Sequence, residues 1–218
     1  AAALISMPSI VPASVFGASG KVSVAVIGVN GRGGSHIQGF MDLPNAEVTC
    51  LCDCDLNVLG PKAKAFETRY SKKVKQEQDL RNVFADKSID AVSIATPNHW
   101  HALATIWACQ AGKDVYVEKP GSHNIFEGRK MVEAAAKYDR IVQHGVQLRS
   151  SLAVQEAIRH LRDGLIGRVY MARGLVFRWR GDIGRKGPGT IPQGLDYNLW
   201  TGPAEMRPFS EDWVHYNW

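Results

Sequence analysis

The chain lacks the features that would place it in a specialised physical class. Four cysteines in 218 residues are too few for a disulfide scaffold. Basic residues are scattered, and the one visible cluster, Lys72-Lys73-Val74-Lys75, is short. With a net charge of only +5, no nucleic-acid-binding tract is indicated. No apolar run is long and uninterrupted enough to span a bilayer. Internal repeats and low-complexity tracts are also missing. What remains is an ordinary α/β composition, 45% hydrophobic and 22% charged, with 21 glycines and 10 prolines. Such a chain can bury a substantial core in one or two domains.

Three of the cysteines form Cys50-x-Cys52-x-Cys54, which puts them on one face of a strand. Zinc pairs leave two or more residues between ligands, so buried apolar thiols are expected here and no metal site. The segment Ala1–Gly20 carries no charge and is interrupted by Pro8 and Pro12. It suits the tail of a signal peptide, with Val11-Pro12-Ala13-Ser14 or Gly17-Ala18-Ser19 as places for a peptidase to cut. The alternative is a disordered N-terminal arm.

From Lys21 a regular alternation begins. Val22–Ile27 is a continuous apolar run, as in a strand buried on both faces of a parallel sheet. Further strands are predicted at Glu47–Cys52, Asp90–Ala95, Val115–Val117 and from Ile141 to about Gly145. Helices are predicted at Ser35–Met41, Lys62–Tyr70 with Pro61 at its first position, and His101–Ala111 with Gly112 as C-terminal cap. Another is predicted from Asn124, whose spacing to Glu127 is that of a capping box, to about Tyr138. This alternation implies right-handed crossovers and a doubly wound parallel sheet over residues 21–149. After Arg149 the texture changes. A helix carrying Val154, Ile158 and Leu161 is expected to end at Gly164. Arg168–Trp179 then alternates, with Val169, Met171, Leu175, Phe177 and Trp179 on one face. That pattern suits the first strand of a mixed or antiparallel sheet, so residues 150–218 are read as the start of a second, α+β domain, cut short.

Three constellations carry chemistry. Gly28-Val29-Asn30-Gly31-Arg32-Gly33-Gly34 follows a strand and opens a helix, where a dinucleotide site needs a tight turn and a helix N-terminus facing the pyrophosphate. Gly28 and Gly33 match the first and third glycines of G-x-G-x-x-G; Asn30 replaces the second, and Gly31 follows it. Asp53, at the end of the next strand, is placed to accept the ribose hydroxyls, with Asp55 as its competitor. An acid there repels a 2′-phosphate and favours NAD over NADP. The third is a pair of strand-end loops, Thr96-Pro97-Asn98-His99-Trp100-His101 and Glu118-Lys119-Pro120. A lysine at that position can polarise a hydroxyl or carbonyl oxygen, although strand-end lysines are usually solvated surface groups.

These motifs, with Ala111-Gly112-Lys113-Asp114-Val115-Tyr116-Val117 leading into the Glu-Lys-Pro triplet, resemble the family of glucose–fructose oxidoreductase, inositol dehydrogenase and MocA. The resemblance runs from about Lys21 to Trp218. It implies a Rossmann-type NAD-binding domain and a catalytic role for Lys119 in positioning a substrate hydroxyl. It implies cofactor contacts from Gly28, Asn30, Gly31, Arg32, Gly33, Asp53, Thr96, Pro97, Asn98, His101 and Glu118, and places Gln147, Arg149 and Tyr216 toward the substrate. The expected reaction is hydride transfer between NAD and a secondary hydroxyl of a sugar, polyol or glycoside. Glycoside cleavage with no net redox change, or cofactor binding without chemistry, are the alternatives. The family's catalytic His would lie beyond Trp218, so this stretch alone is expected to bind cofactor without turning over. The resemblance also implies a homo-oligomer for the full-length protein and fits export to the periplasm by a twin-arginine route.

Overall fold

The computed structural model describes residues 20–179 and 181–217; the leader expected at Ala1–Gly20 lies outside them except for Gly20. Six parallel strands form one sheet: β1 (Val22–Ile27), β2 (Ala46–Cys52), β3 (Lys75–Glu77), β4 (Ala91–Ile94), β5 (Asp114–Glu118) and β6 (Val142–Gly145). Their order is β3-β2-β1-β4-β5-β6, so the sheet winds outward in both directions from β1 and β4. Helices α1 (Arg32–Met41), α2 (Leu56–Tyr70), α3 (Leu80–Ala85), α4 (Asn98–Gln110) and α5 (Ile125–Lys137) join the strands. The central strands are apolar on both faces because both are covered. Ala25, Ile27, Val92 and Ile94 pack with α3 and α4 residues on one side. Val26, Val48 and Leu51 pack against α1 and α2 on the other.

Local chemistry sets the helix starts. The Asn124 side chain caps α5 by accepting from the Glu127 backbone N–H, and Glu127 reaches back to the N–H of His123. Gly112 takes φ +76° just past the end of α4, as its capping position requires. Three helix starts differ from expectation. Helix α1 begins at Arg32, where Ser35 was expected. Helix α2 begins at Leu56, capped by Asp55, so Pro61 lies inside it rather than at its first residue. The strong Asp cap offsets the one helical bond that a proline nitrogen cannot make. Helix α4 begins at Asn98, three residues earlier than the pattern indicated.

Beyond the 3₁₀ turn Gln147–Ser150, α6 (Leu152–Arg162) forms as expected and Gly164 follows it with φ +85°. The strand expected over Arg168–Trp179 does not form; these residues carry no helix or strand and their alternate apolar side chains are exposed, Phe177 at 89% and Trp179 at 93%. A strand exists by pairing, and among the described residues nothing pairs with this one. The chain then returns to the sheet. Residues 193–217, with the short helix α7 (Tyr197–Thr201), build a small apolar cluster of Leu195, Tyr197, Trp200 and Phe209 beside Cys54.

Candidate functional site

The carboxyl ends of β1, β2, β4 and β5 open into a cleft of about 650 Å³. Strand order reverses between β1 and β4, which is where doubly wound sheets bind ligands. One wall is the glycine loop. Gly28 adopts φ +83°, and a Cβ there would lie 2.7 Å from the Ala95 carbonyl oxygen, so only glycine fits. Gly33 packs so tightly that a Cβ would collide with the Gly28 carbonyl. Gly31 occupies the N-cap of α1 and supplies no side-chain cap, leaving that helix end facing the cleft with Asn30 and Arg32 beside it.

Asp53 shapes this loop. Its buried carboxylate accepts the Val29 N–H (2.9 Å) and the Asp55 N–H (3.1 Å). Burial raises its pKa, and these hydrogen bonds pull only part of the way back. The competitor Asp55 is committed elsewhere: it caps α2 and holds the His215 ring nitrogen at 3.0 Å. Of the two acids, only Asp53 lines the cleft.

The opposite wall is the end of β5. Glu118 is buried, and one of its oxygens accepts from Arg32 Nε (3.0 Å), His36 Nε2 (3.0 Å) and the Gln147 amide, while the other takes the Lys119 N–H at 3.1 Å. Burial alone would raise its carboxyl pKa; the hydrogen bonds from Arg32 and His36 outweigh this and hold it below the ordinary value. Arg32 and Gln147 therefore line the cleft already bonded to Glu118. Lys119 is exposed at the cleft, and its amine has no partner among the described residues.

His101 was expected to face a cofactor. It lies on the cleft wall and is almost wholly buried, its ring nitrogens lying 2.6 Å from the Pro120 carbonyl and 2.9 Å from that of Thr96. It is a strut between the two strand-end loops. Thr96, Pro97 and Asn98 stand on the cleft wall as expected, and the buried Thr96 hydroxyl has no partner among the described residues. Arg149 departs from expectation: it sits exposed in the 3₁₀ turn and is not on the cleft wall, which Gln147 and Leu148 of the same turn do line. Tyr216 is on the wall and largely exposed.

Sequence reasoning missed several contributors. His36 lies one turn after Arg32 on the same helical face, the spacing that could have signalled it. Its Nδ1 meets Ser93 Oγ at 2.8 Å, completing a Ser93–His36–Glu118 chain. The arrangement looks like a hydrolytic triad, but Ser93 is 0% exposed and His36 7%. No substrate reaches that hydroxyl, so the chain is a brace joining β4, α1 and β5. Burial lowers the His36 pKa, with Glu118 opposing. The returning segment was missed as well. Trp100 donates to the Leu199 carbonyl (2.7 Å), His99 to that of Trp200 (2.9 Å), and Gln78 to those of Cys54 and Gly194 (both 3.0 Å). Leu199 and Trp200 thereby join the cleft wall, as does His215, held by Asp55.

Cys52 and Cys54 also line the cleft, but burial pushes both thiols up and leaves them unreactive. Among the described residues no group of three or more His, Cys, Asp or Glu gathers as a metal site, and no helix is long and apolar enough to cross a membrane.

A family model described as an oxidoreductase family with an NAD-binding Rossmann fold, Gfo/Idh/MocA, matches residues 22–146. The chain belongs to this family. A glycosyl hydrolase family 109 protein of Saccharopolyspora erythraea is 31% identical over 166 residues, 73% of this chain and 36% of that protein. The levoglucosan dehydrogenase of Pseudarthrobacter phenanthrenivorans is 34% identical over 105 residues, 48% of this chain and 27% of the relative. The chain thus spans between about a quarter and a little over a third of the length of these relatives. Among solved structures, myo-inositol 2-dehydrogenase of Lactobacillus plantarum superposes with a TM-score of 0.61 at 22% identity, covering 68% of this chain and 43% of that one. The WlbA dehydrogenase of Chromobacterium violaceum, solved with NADH and UDP-GlcNAcA, gives 0.60 at 26% identity over 69% and 42%.

Proposed function

We propose that this Gfo/Idh/MocA chain holds NAD in a dehydrogenase that moves a hydride to or from a secondary hydroxyl of a sugar, polyol or glycoside. The observation that carries the reading is the unpartnered Lys119 amine, which shares one cleft with the glycine loop and the open N-terminus of α1. The residues fit a dinucleotide. The cleft volume lies within the range of small-molecule sites. The α1 terminus and Arg32 suit a diphosphate, Asp53 suits an unphosphorylated ribose, and the orphaned Thr96 hydroxyl supplies a buried polar group for a ligand. NAD, when bound, supplies a carbon that accepts or gives up a hydride. Lys119 holds the reacting hydroxyl by hydrogen bonding and stabilises negative charge as it builds on that oxygen. Its neighbour Glu118 fixes the Lys119 backbone, and His101 fixes the loop on either side of the cleft.

Calorimetric titration of the protein with NAD and with NADP tests this. NAD binding at least tenfold tighter than NADP is expected; absence of binding by either would overturn the reading. The family 109 relatives favour a second scheme, in which a transient ketone allows glycoside cleavage with no net change in cofactor. Release of NADH on incubating the complete enzyme with substrate separates the two, since only the first scheme produces it. We further propose that Ala1–Gly20 belongs to an export leader, which N-terminal mass determination on the periplasmic protein would test.

A further inference from the structure

Glu118 is oversubscribed. Three donors converge on its Oε1, from Arg32, His36 and Gln147, while among the described residues Oε2 receives only the Lys119 N–H. One carboxylate oxygen has two lone pairs, so one of the three donors is held less well than it could be elsewhere. They differ in their freedom to leave. The His36 side chain is sealed in and pinned from its far side by Ser93. The Arg32 side chain is 48% exposed, and Glu118 is its one ion-pair partner among the described residues.

Arg32 is also at an awkward place for a cation. It is the first residue of α1, where the helix dipole is positive and basic side chains are disfavoured. Nothing else in that turn offsets the charge, since the first turn contains no acid and Gly31 provides no cap. The positive helix end and the guanidinium share one compensating anion, Glu118, brought in from β5 across the end of β4. Such a convergence suits a second anion arriving from the cleft.

We propose that Glu118 is a stand-in anion, holding Arg32 until a diphosphate enters the cleft and then releasing it to that diphosphate. The inference rests on the cofactor reading above and adds that the Arg32–Glu118 pair competes with binding. After the exchange Glu118 keeps His36, Gln147 and the Lys119 N–H, so the loop bearing Lys119 stays in place while the other wall is freed to close on the ligand. Glu118 then acts as a positioning residue that also sets cofactor affinity, through Arg32 and not by touching the diphosphate.

The test uses inorganic pyrophosphate and ADP, neither of which carries the nicotinamide ribose that Glu118 could contact directly. In calorimetry, Glu118→Gln should bind both probes about fivefold tighter than the wild type, the gain expected when roughly 1 kcal/mol of competition is removed. Arg32→Met should bind them about fivefold more weakly, and Arg32→Met/Glu118→Gln should match Arg32→Met, because the competitor then has nothing to hold. Weaker or unchanged binding by Glu118→Gln overturns the exchange, as does failure of pyrophosphate to bind at all. The wild-type protein gives a check that no substitution can disturb: the Arg32 Nε–H resonance should shift on adding pyrophosphate, and a stationary resonance in a saturated sample also overturns it. NAD failing to bind the wild type would remove the cofactor reading itself. NAD binding without the Glu118→Gln gain removes only the exchange.

Discussion

Gly33 and Gly39 lie on the same helix, and substituting alanine at each should move stability in opposite directions. At Gly39 nothing lies within 4 Å of the position a Cβ would take. The substitution replaces a poor helix former with the best one and should stabilise by about 0.5–1 kcal/mol. At Gly33 the new methyl meets the Gly28 carbonyl oxygen head-on, with the Gly28 carbonyl carbon at 3.0 Å and Val26 Cγ1 at 3.4 Å behind it. Neither carbonyl atom can rotate away as a side chain would. Gly28 cannot retreat: its N–H is bonded to the Cys52 carbonyl at 2.8 Å, and the Ala95 backbone stands behind it. Helix α1 must therefore lift from the sheet. Overpacking of this kind costs about 1–3 kcal/mol. Taking the upper end and subtracting the propensity gain leaves Gly33→Ala about 2 kcal/mol less stable, a melting temperature lower by about 4–8 °C for a domain of this size. Urea unfolding followed by tryptophan fluorescence reads both variants, and NAD titration should show Gly33→Ala binding more weakly while Gly39→Ala is unaffected. Gly33→Ala within about 0.5 kcal/mol of wild type, with unaltered NAD affinity, would refute the claim that loop and helix are locked by this contact.

Lys119→Ala should leave the NAD dissociation constant within about twofold while lowering turnover of the complete enzyme by about 10²–10⁴, the range for a group acting on a proton or oxyanion; unchanged turnover removes Lys119 from the chemistry. Asp53→Asn, which keeps the volume and one acceptor for the Val29 and Asp55 amides, should narrow the preference for NAD over NADP by about tenfold, read as a ratio of affinities. The acid limb of stability should depend on Glu118. Its folded-state pKa lies below that of the unfolded chain, so its contribution is present above about pH 4.3 and is lost as pH falls through the folded value. Asp53, raised by burial, acts with the opposite sign and becomes less costly as it protonates. Urea midpoints between about pH 5 and pH 3 should therefore fall less steeply for Glu118→Gln than for wild type; parallel profiles would contradict the assignment.

The central sheet was legible because strands buried on both faces are mostly apolar, as Val22–Ile27 and Ala91–Ile94 are apart from Ser23 and Ser93. Strand β3 carries Lys75-Gln76-Glu77 at the sheet edge, where pairing to β2 requires backbone and not apolar side chains, so no pattern announces it. Helix α3, at six residues, is too short for its period to show. The alternation at residues 168–179 records a face but says nothing of a partner, and that expectation failed for this reason. In the site, strand-end position made the glycine loop, Asp53, Thr96 and Lys119 readable. The brace was not readable, since His36 meets Ser93 and Glu118 across separations of 57 and 82 residues. His101 was noticed within its motif, but only its burial between two carbonyls shows that it braces the two strand-end loops.

A chain that carries Val169, Met171, Leu175, Phe177 and Trp179 in the open brings its own association chemistry. The stretch contains no proline and is rich in residues that favour extended backbone, traits that let like segments of separate molecules pair, with Arg168, Arg173 and Arg178 acting against it. Expressed by itself, the protein should self-associate in a concentration-dependent manner, and should do so whether or not the cleft is filled, because the sticky surface lies outside it. Replacing Phe177 and Trp179 with lysine and glutamate would give a better-behaved sample without altering the cleft wall.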